Sequence, residues 1–178
     1  MFRHSSREAP SLYEVATGYY INGNTHGNRF SPGFSAISAN YIRYQVLFIG
    51  NDCTFESYNV KTQDAVASLA RFAIFTTHRG IPFRLIPETE VEADISVFGE
   101  LVIPKVFSLR KGHYFLAFIV NVNRNMSRFL NADSLFAIDF TLSVTRFVEN
   151  WAYGALPPLA TPTGDEGTVP VINLLCSG

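Results

Sequence analysis

Charge is scarce in this chain. Of its 178 residues, 16% are Asp, Glu, Lys or Arg, where an ordinary soluble domain carries about 25%. Basic and acidic residues nearly cancel, 14 against 15, for a formal net charge of -1. That balance excludes a generic nucleic-acid binder and a protein held to anionic membranes by electrostatics. Lysine is almost missing, since Lys61, Lys105 and Lys111 are the only three. The longest uninterrupted apolar run, Tyr114–Val120, falls far short of the about 20 residues a spanning helix needs. No basic-then-apolar stretch opens the sequence, so neither a signal peptide nor a membrane anchor is expected. The two cysteines, Cys53 and Cys176, belong to no CxxC or Cys/His cluster. Two free thiols in a reducing cytoplasm are the default expectation, with a disulfide tying the C-terminus to the body as the alternative. Catalytic signatures are missing as well: there is no GxSxG, HExxH, P-loop or GxGxxG.

Large apolar side chains are what the chain has in plenty. Aromatics make up 14%, with 16 Phe and 8 Tyr. A domain with few charges and many bulky apolar groups has difficulty covering its own surface, and burial against other chains is the simplest remedy. An obligate oligomer or lattice component is therefore expected; an aromatic-rich monomeric β core is the competing explanation. The preference for Arg over Lys points the same way, because a guanidinium tolerates partial desolvation better.

The length suits one domain. Met1–Asn40 reads as an extended arm, interrupted by Pro10, the Gly/Asn run 22–28 and Ser31-Pro32-Gly33. It holds one short β-prone segment, 17–21, which ends at Asn22-Gly23. Residues 41–178 read as the body. Strand signals follow one another at 41–49, 54–62, 66–77, 83–86, 90–97, 101–109, 114–122, 136–148, 151–155 and 169–175. Residues 90–97 alternate cleanly, with Val91, Ala93, Ile95 and Val97 on one face and Glu90, Glu92, Asp94 and Ser96 on the other, a half-exposed strand. Pro104 marks its strand as an edge or a bulge. Many short strands separated by turn signals, with no long amphipathic helix and no repeat, give an all-β, antiparallel, jelly-roll-like β-sandwich with an N-terminal arm.

Few residues offer chemistry. His4, His26, His78 and His113 share no ligand spacing and read as solvated turn or arm residues. Asp133 with Asp139, or Glu88 with Glu90 and Glu92, resemble an acid pair only by proximity; Glu90 and Glu92 at period two are better explained as the wet face of a strand. Asn125-Met126-Ser127 has the form of a glycosylation sequon without a secretory context. No enzyme, cofactor or metal is expected. Tyr19, Tyr20, Trp151 and Tyr153 are the candidate site residues: aromatics that pack a subunit interface, or stack on sugar rings.

The order of several short pieces resembles a family. The chain carries Gly18-Tyr19-Tyr20, then Ala70-Arg71-Phe72-Ala73-Ile74-Phe75, Gly80-Ile81-Pro82 and Leu85-Ile86. Gly99 follows, then Leu109 through Ala117, then Tyr153-Gly154-Ala155-Leu156-Pro157 and Pro170-Val171-Ile172. This order is similar to small β-sandwich virion proteins of tailed bacteriophages, of the capsid decoration (cement), head-fibre and tail-fibre types. Phe75 stands where such proteins often have Tyr, and His113-Tyr114-Phe115 replaces a double aromatic. The resemblance implies a non-enzymatic homotrimer made in the host cytoplasm, located on the virion and more readily on the capsid surface than on the tail. Its partners would be other copies of itself and virion proteins such as the major capsid protein or tail subunits. The arm would grip the particle. The alternative is a tail-fibre or receptor-binding protein recognising a host glycan or surface protein.

Overall fold

The computed structural model describes residues 20–22, 33–129, 146–164, 169–170 and 172–177. Their regular structure is entirely β: β1 (Tyr20–Asn22), β2 (Gly33–Ile37), β3 (Tyr41–Ile49), β4 (Cys53–Thr62), β5 (Leu69–His78), β6 (Ile81–Asp94), β7 (Gly99–Leu109), β8 (Gly112–Val120), β9 (Arg124–Phe129), β10 (Arg146–Asn150), β11 (Val169–Pro170) and β12 (Ile172–Cys176). They form a seven-stranded sheet and a five-stranded sheet, packed face to face as an antiparallel sandwich. In the larger sheet β4 has β7 along one side and β12, then β1, on the other; β9 meets the end of β4 and also pairs with β2 and β11. The smaller sheet runs β10-β3-β8-β5-β6.

Several boundaries differ from those the sequence suggests. The segment read as an arm contributes two strands to the larger sheet: β1 pairs with β12, and β2 pairs with β9 from Gly33↔Arg128 to Ile37↔Arg124. The strands expected at 83–86 and 90–97 are one long β6. Its register on β5 jumps from Phe72↔Val91 to Ile74↔Ile86, so Pro87 falls in a bulge and needs no ladder donor. Thr89 closes that bulge: its hydroxyl accepts the Ile74 N–H at 2.8 Å and donates to the Ile86 carbonyl at 2.7 Å. Residues 151–155, expected as a strand, are irregular chain instead. The stretch 136–145 of another expected strand lies outside the described residues.

Half of the described aromatic side chains are buried. Between the sheets Tyr58 stacks on Phe72 and Phe107 at 5.5 and 5.4 Å, while Phe118 meets Phe72 at 5.2 Å and Phe55 meets Phe107 at 5.4 Å. All five rings are buried, so these aromatics are accounted for by a core. Burial pushes the Tyr58 phenol well above the ordinary tyrosine range, and its hydroxyl donates to the Thr89 carbonyl.

A second core lies on the outer face of the smaller sheet, where Ile42, Tyr44, Phe75, Phe115 and Ile119 meet Leu156. The covering element is a strap, residues 151–164. It crosses to β6, where Leu85 N donates to Pro158 O and Ala160 N to Phe83 O, and returns to β10, where Val148 N donates to Gly164 O. Each edge of this sheet thus has a backbone partner. Beneath the strap Glu149, 2% exposed, accepts hydrogen bonds from Tyr44 Oη (2.7 Å), Thr161 N (2.9 Å) and Thr161 Oγ1 (2.8 Å). Replacing Glu149 with Ala strands buried donors and is expected to cost about 2–4 kcal/mol; urea denaturation measures the loss, and faster proteolysis within 151–164 locates it.

Burial, reinforced by the hydrogen bond and charge of Glu149, holds the Tyr44 phenol far above its usual value. The raised values of Tyr44 and Tyr58 set an alkaline limit on the fold. Below the ordinary tyrosine value of about 10 both phenols are protonated in folded and unfolded chains alike, so they add no pH dependence. Above it the unfolded chain releases two protons that the folded one keeps. Stability then falls by about 2.7 kcal/mol per pH unit. Absorbance titration at the tyrosinate band should show at least two phenols that ionise only on unfolding.

The cysteines are not free. Cys53 and Cys176 form a disulfide across 123 residues, with Cα atoms 6.5 Å apart. The β4–β12 ladder is the reason, because pairing Cys176 with Phe55 brings the chain's end to the start of β4.

Candidate functional site

Of the four aromatics singled out in the sequence, the side chains of Trp151 and Tyr153 are described. Tyr19 lies outside the described residues, and Tyr20 begins β1 opposite Leu175 in the larger sheet. Trp151 and Tyr153 sit together on the strap over the smaller sheet, half-buried against the second core. Trp151 Nε1 donates to Ala155 O at 3.1 Å. Tyr153 Oη donates to Glu92 Oε2 at 3.0 Å, and the Arg71 guanidinium lies 6.0 Å from its ring centre. Both side chains are therefore engaged within their own chain. Asn40 seats them: its backbone adopts φ +61°, its carbonyl accepts Trp151 N and its Oδ1 accepts Tyr153 N. Asparagine is among the few side chains at ease in that left-handed region.

Glu90 and Glu92 share a face, but the strap covers part of it. Arg71 bridges them, 3.0 Å from Glu90 Oε1 and 2.8 Å from Glu92 Oε2, and Glu90 also accepts Leu156 N at 3.2 Å. Glu92 and Asp94 keep the exposed face expected of them, while Glu90 is half-buried and, with Glu92, anchors the strap. Among the described residues no group of three or more His, Cys, Asp or Glu is placed to hold a metal. His78 packs on Phe83 and His113 on Phe48, at 5.2 and 4.7 Å between ring centres.

The conspicuous surface feature lies elsewhere. Val97, Phe98, Val102 and Val106 are 55, 67, 64 and 71% exposed, while among the described residues the next most exposed large apolar side chain, Leu159, is at 47%. All four belong to β7 or the turn leading into it. β7 puts Ile103, Phe107 and Leu109 into the core and turns Val102, Pro104 and Val106 outward. Its ladder along β4 runs from Cys53↔Leu109 to Thr62↔Gly99, with a register shift where Phe55↔Phe107 gives way to Ser57↔Pro104. Among the described residues β7 pairs with β4 alone, so Pro104 sits on an edge and beside a bulge, as its chemistry requires. The result is an apolar ridge along one margin of the larger sheet. Sequence reasoning passed over it, although a signal was present: unlike 90–97, the stretch 101–109 is apolar on both faces, and an edge strand with two apolar faces must expose one of them.

At the end of this ridge an open cleft of about 450 Å³ is lined by Asp52, Cys53, Thr54, Ser108, Leu109 and Arg110. Asp52 Oδ1 accepts Lys111 N at 2.8 Å, and the hydroxyls of Thr54 and Ser108 share a hydrogen bond at 2.9 Å. Its lining joins a carboxylate, a guanidinium and two hydroxyls with the buried Cys53 and Leu109.

No protein-family model matches the chain, and no curated protein matches it. Among solved structures it is similar to the clostridial cysteine protease Cwp84 after propeptide cleavage, with a TM-score of 0.53 and 14% identity. The likeness covers 80% of this chain and 37% of that one. At such identity it speaks for the sandwich fold and carries nothing about activity.

Proposed function

We propose that this protein is a non-enzymatic structural component of a tailed-phage virion, a capsid decoration (cement) or head-fibre protein that binds the particle and stabilises it. The observation that carries this reading is the ridge on β7: four apolar side chains of that strand and the turn before it, each more than half exposed, are the kind of surface that marks an interaction site. The all-β sandwich and the resemblance of its ordered run of short motifs to phage virion sandwiches support it. Such a protein works by contact area, and a homotrimer on the capsid multiplies that area by holding several weak contacts at once.

Recognition of a host surface by the tail is the second reading, favoured by the polar cleft at Asp52, Ser108 and Arg110. Gold-labelled antibody against the chain, viewed on intact particles by electron microscopy, tests both. Label over the heads is expected. Label confined to the tail would replace the first reading with the second, and particles without label would overturn both.

A further inference from the structure

We propose that the end of the sandwich formed by the turns 50–52, 79–80 and 110–111 is a docking surface for a short acidic segment of a partner protein. This goes beyond the virion role and does not depend on it.

The ladders bring these turns together. β8 lies between β3 and β5, with Ile49 opposite Gly112 and Thr76 opposite Tyr114, and the Thr77 hydroxyl donates to the His113 carbonyl at 3.0 Å. Lys111 N donates to Asp52 Oδ1 at 2.8 Å, which ties 50–52 to 110–111. Neighbouring strands stand about 4.8 Å apart, so charges on adjacent turns lie within about one Debye length and their fields add.

Basic charge is gathered at this end. Among the described side chains five lysines and arginines are exposed. Lys61, at the opposite end, is paired with Glu100 at 3.5 Å. The other four are Arg79, Arg84, Arg110 and Lys111, and none of them makes an ion pair among the described residues. Arg84 is held over the Phe83 ring, 5.6 Å from its centre, and His78 packs on the same ring. Asp52 is the one acid in the three turns. The connections at the opposite end, 63–68, 95–98 and 121–123, contain no lysine or arginine.

Arg79 stands there against the preference of its own turn. Residues 79 and 80 link His78 to Ile81 with φ of +50° and +80°, a two-residue hairpin turn that asparagine followed by glycine fits best. An arginine in the left-handed region destabilises the turn, and such strain is found where a side chain serves a purpose other than the fold.

Carboxylates on a polypeptide are what this surface fits. Three of the four cations are arginines, whose planar forks pair with carboxylates two hydrogen bonds at a time. From β3 to β6 is about 14 Å, the length of about four extended residues. A longer polyanion would run off this end onto the exposed Glu88, Glu92, Asp94 and Glu100, which repel it. The adjoining cleft offers the hydroxyls of Thr54 and Ser108 to the amide groups of a peptide.

Fluorescence anisotropy of labelled hexaglutamate, titrated with the oxidised full chain, tests this. A dissociation constant on the order of 100 µM at low salt is expected, weakening as salt is raised. Arg110→Glu with Lys111→Glu should weaken binding by about tenfold or more. Lys61→Glu, a reversal of charge at the far end, should bind as the parent does. Arg79→Asn should weaken binding several-fold and yet raise the urea midpoint, opposite directions that a purely structural role would not produce. The inference is overturned by an absence of binding at millimolar protein, by Lys61→Glu weakening binding as much as the double reversal, or by Arg79→Asn binding as the parent does. A six-nucleotide single strand or a sulfated hexasaccharide that binds more tightly than hexaglutamate would overturn the peptide assignment in favour of nucleic acid or glycan. Binding is read in solution without particles, so this surface and the virion role stand or fall separately.

Discussion

Removing the Cys53–Cys176 disulfide is expected to lower the unfolding free energy by about 5 kcal/mol, the largest single effect in the molecule. The bond closes a loop spanning a sequence separation of 123 residues, most of the chain, and the entropy it withholds from the unfolded state grows with the logarithm of that length. The native side is affected too. Cys176 ends β12, the strand that joins β1 to β4, and Ser177 N beyond it donates to Thr54 O at 2.8 Å. Without the bond β12 is held by its ladders, the Ser177–Thr54 hydrogen bonds and the burial of Ile172 and Leu174. Urea unfolding of the parent, the parent with reductant, and the Cys53→Ser/Cys176→Ser variant should give a high midpoint for the first and coincident low ones for the others. A variant as stable as the oxidised parent would show that the ladders alone hold the C-terminus. A domain of this kind has about 5–15 kcal/mol in total, so the reduced chain stands near its limit. A particle released from the host is an oxidising setting in which the bond persists, consistent with the virion role proposed above.

Replacing Arg124 with Ala is expected to cost about 3–5 kcal/mol. Arg124 opens β9 and is fully buried, an uncommon position for a guanidinium. Its Nη1 lies 2.5 Å from Asp64 Oδ1 and donates to Val66 O at 2.8 Å. Nη2 donates to the carbonyls of Asp64 and Ile95. Asp64 in turn accepts Asn125 N at 2.9 Å. One side chain thus satisfies carbonyls from the β4–β5 connection and from the end of β6, and fixes both to β9. Alanine would leave those carbonyls and a carboxylate without their donor. Lysine keeps the charge but has no planar fork to reach several acceptors, so Arg124→Lys should fall between parent and alanine. Urea midpoints of Arg124→Ala, Asp64→Ala and the double variant give the coupling energy; additivity would mean that the pair does not act as a unit.

The parts of the fold that could be read from the sequence are those where one strand's own pattern is decisive. Residues 41–49 and 114–120 are strands because Ile, Val, Phe and Tyr dominate them, and the alternation at 90–97 reports which face is covered. Pro104 announces an edge because a proline cannot serve a central ladder. Other features depend on partners that a local window does not contain. Whether 151–155 is strand or strap is decided by Asn40, over a hundred residues earlier, which takes the backbone bonds a neighbouring strand would otherwise supply. The joining of 83–86 with 90–97 depends on Thr89 reaching across to Ile74. The burial of Arg124 has no local signal at all, since its acceptors are carbonyls, which every residue carries.

The candidate site divides in the same way. Composition established that this chain has little charge with which to cover itself, and period-two patterning established the sandwich. Both follow from nearest-neighbour chemistry: how much apolar area each residue carries and which way alternate side chains point. Only the tertiary structure decided where the apolar excess ends up. It sent rings such as Tyr58, Phe72 and Phe107 inward, placed Trp151 and Tyr153 on an intramolecular strap, and left three valines and Phe98 outside. The physical reason is that exposure belongs to the arrangement of strands. A residue faces solvent because no strand lies over it, and the order β7-β4-β12, with β7 at the margin, is set by long-range pairing that no local stretch of sequence encodes.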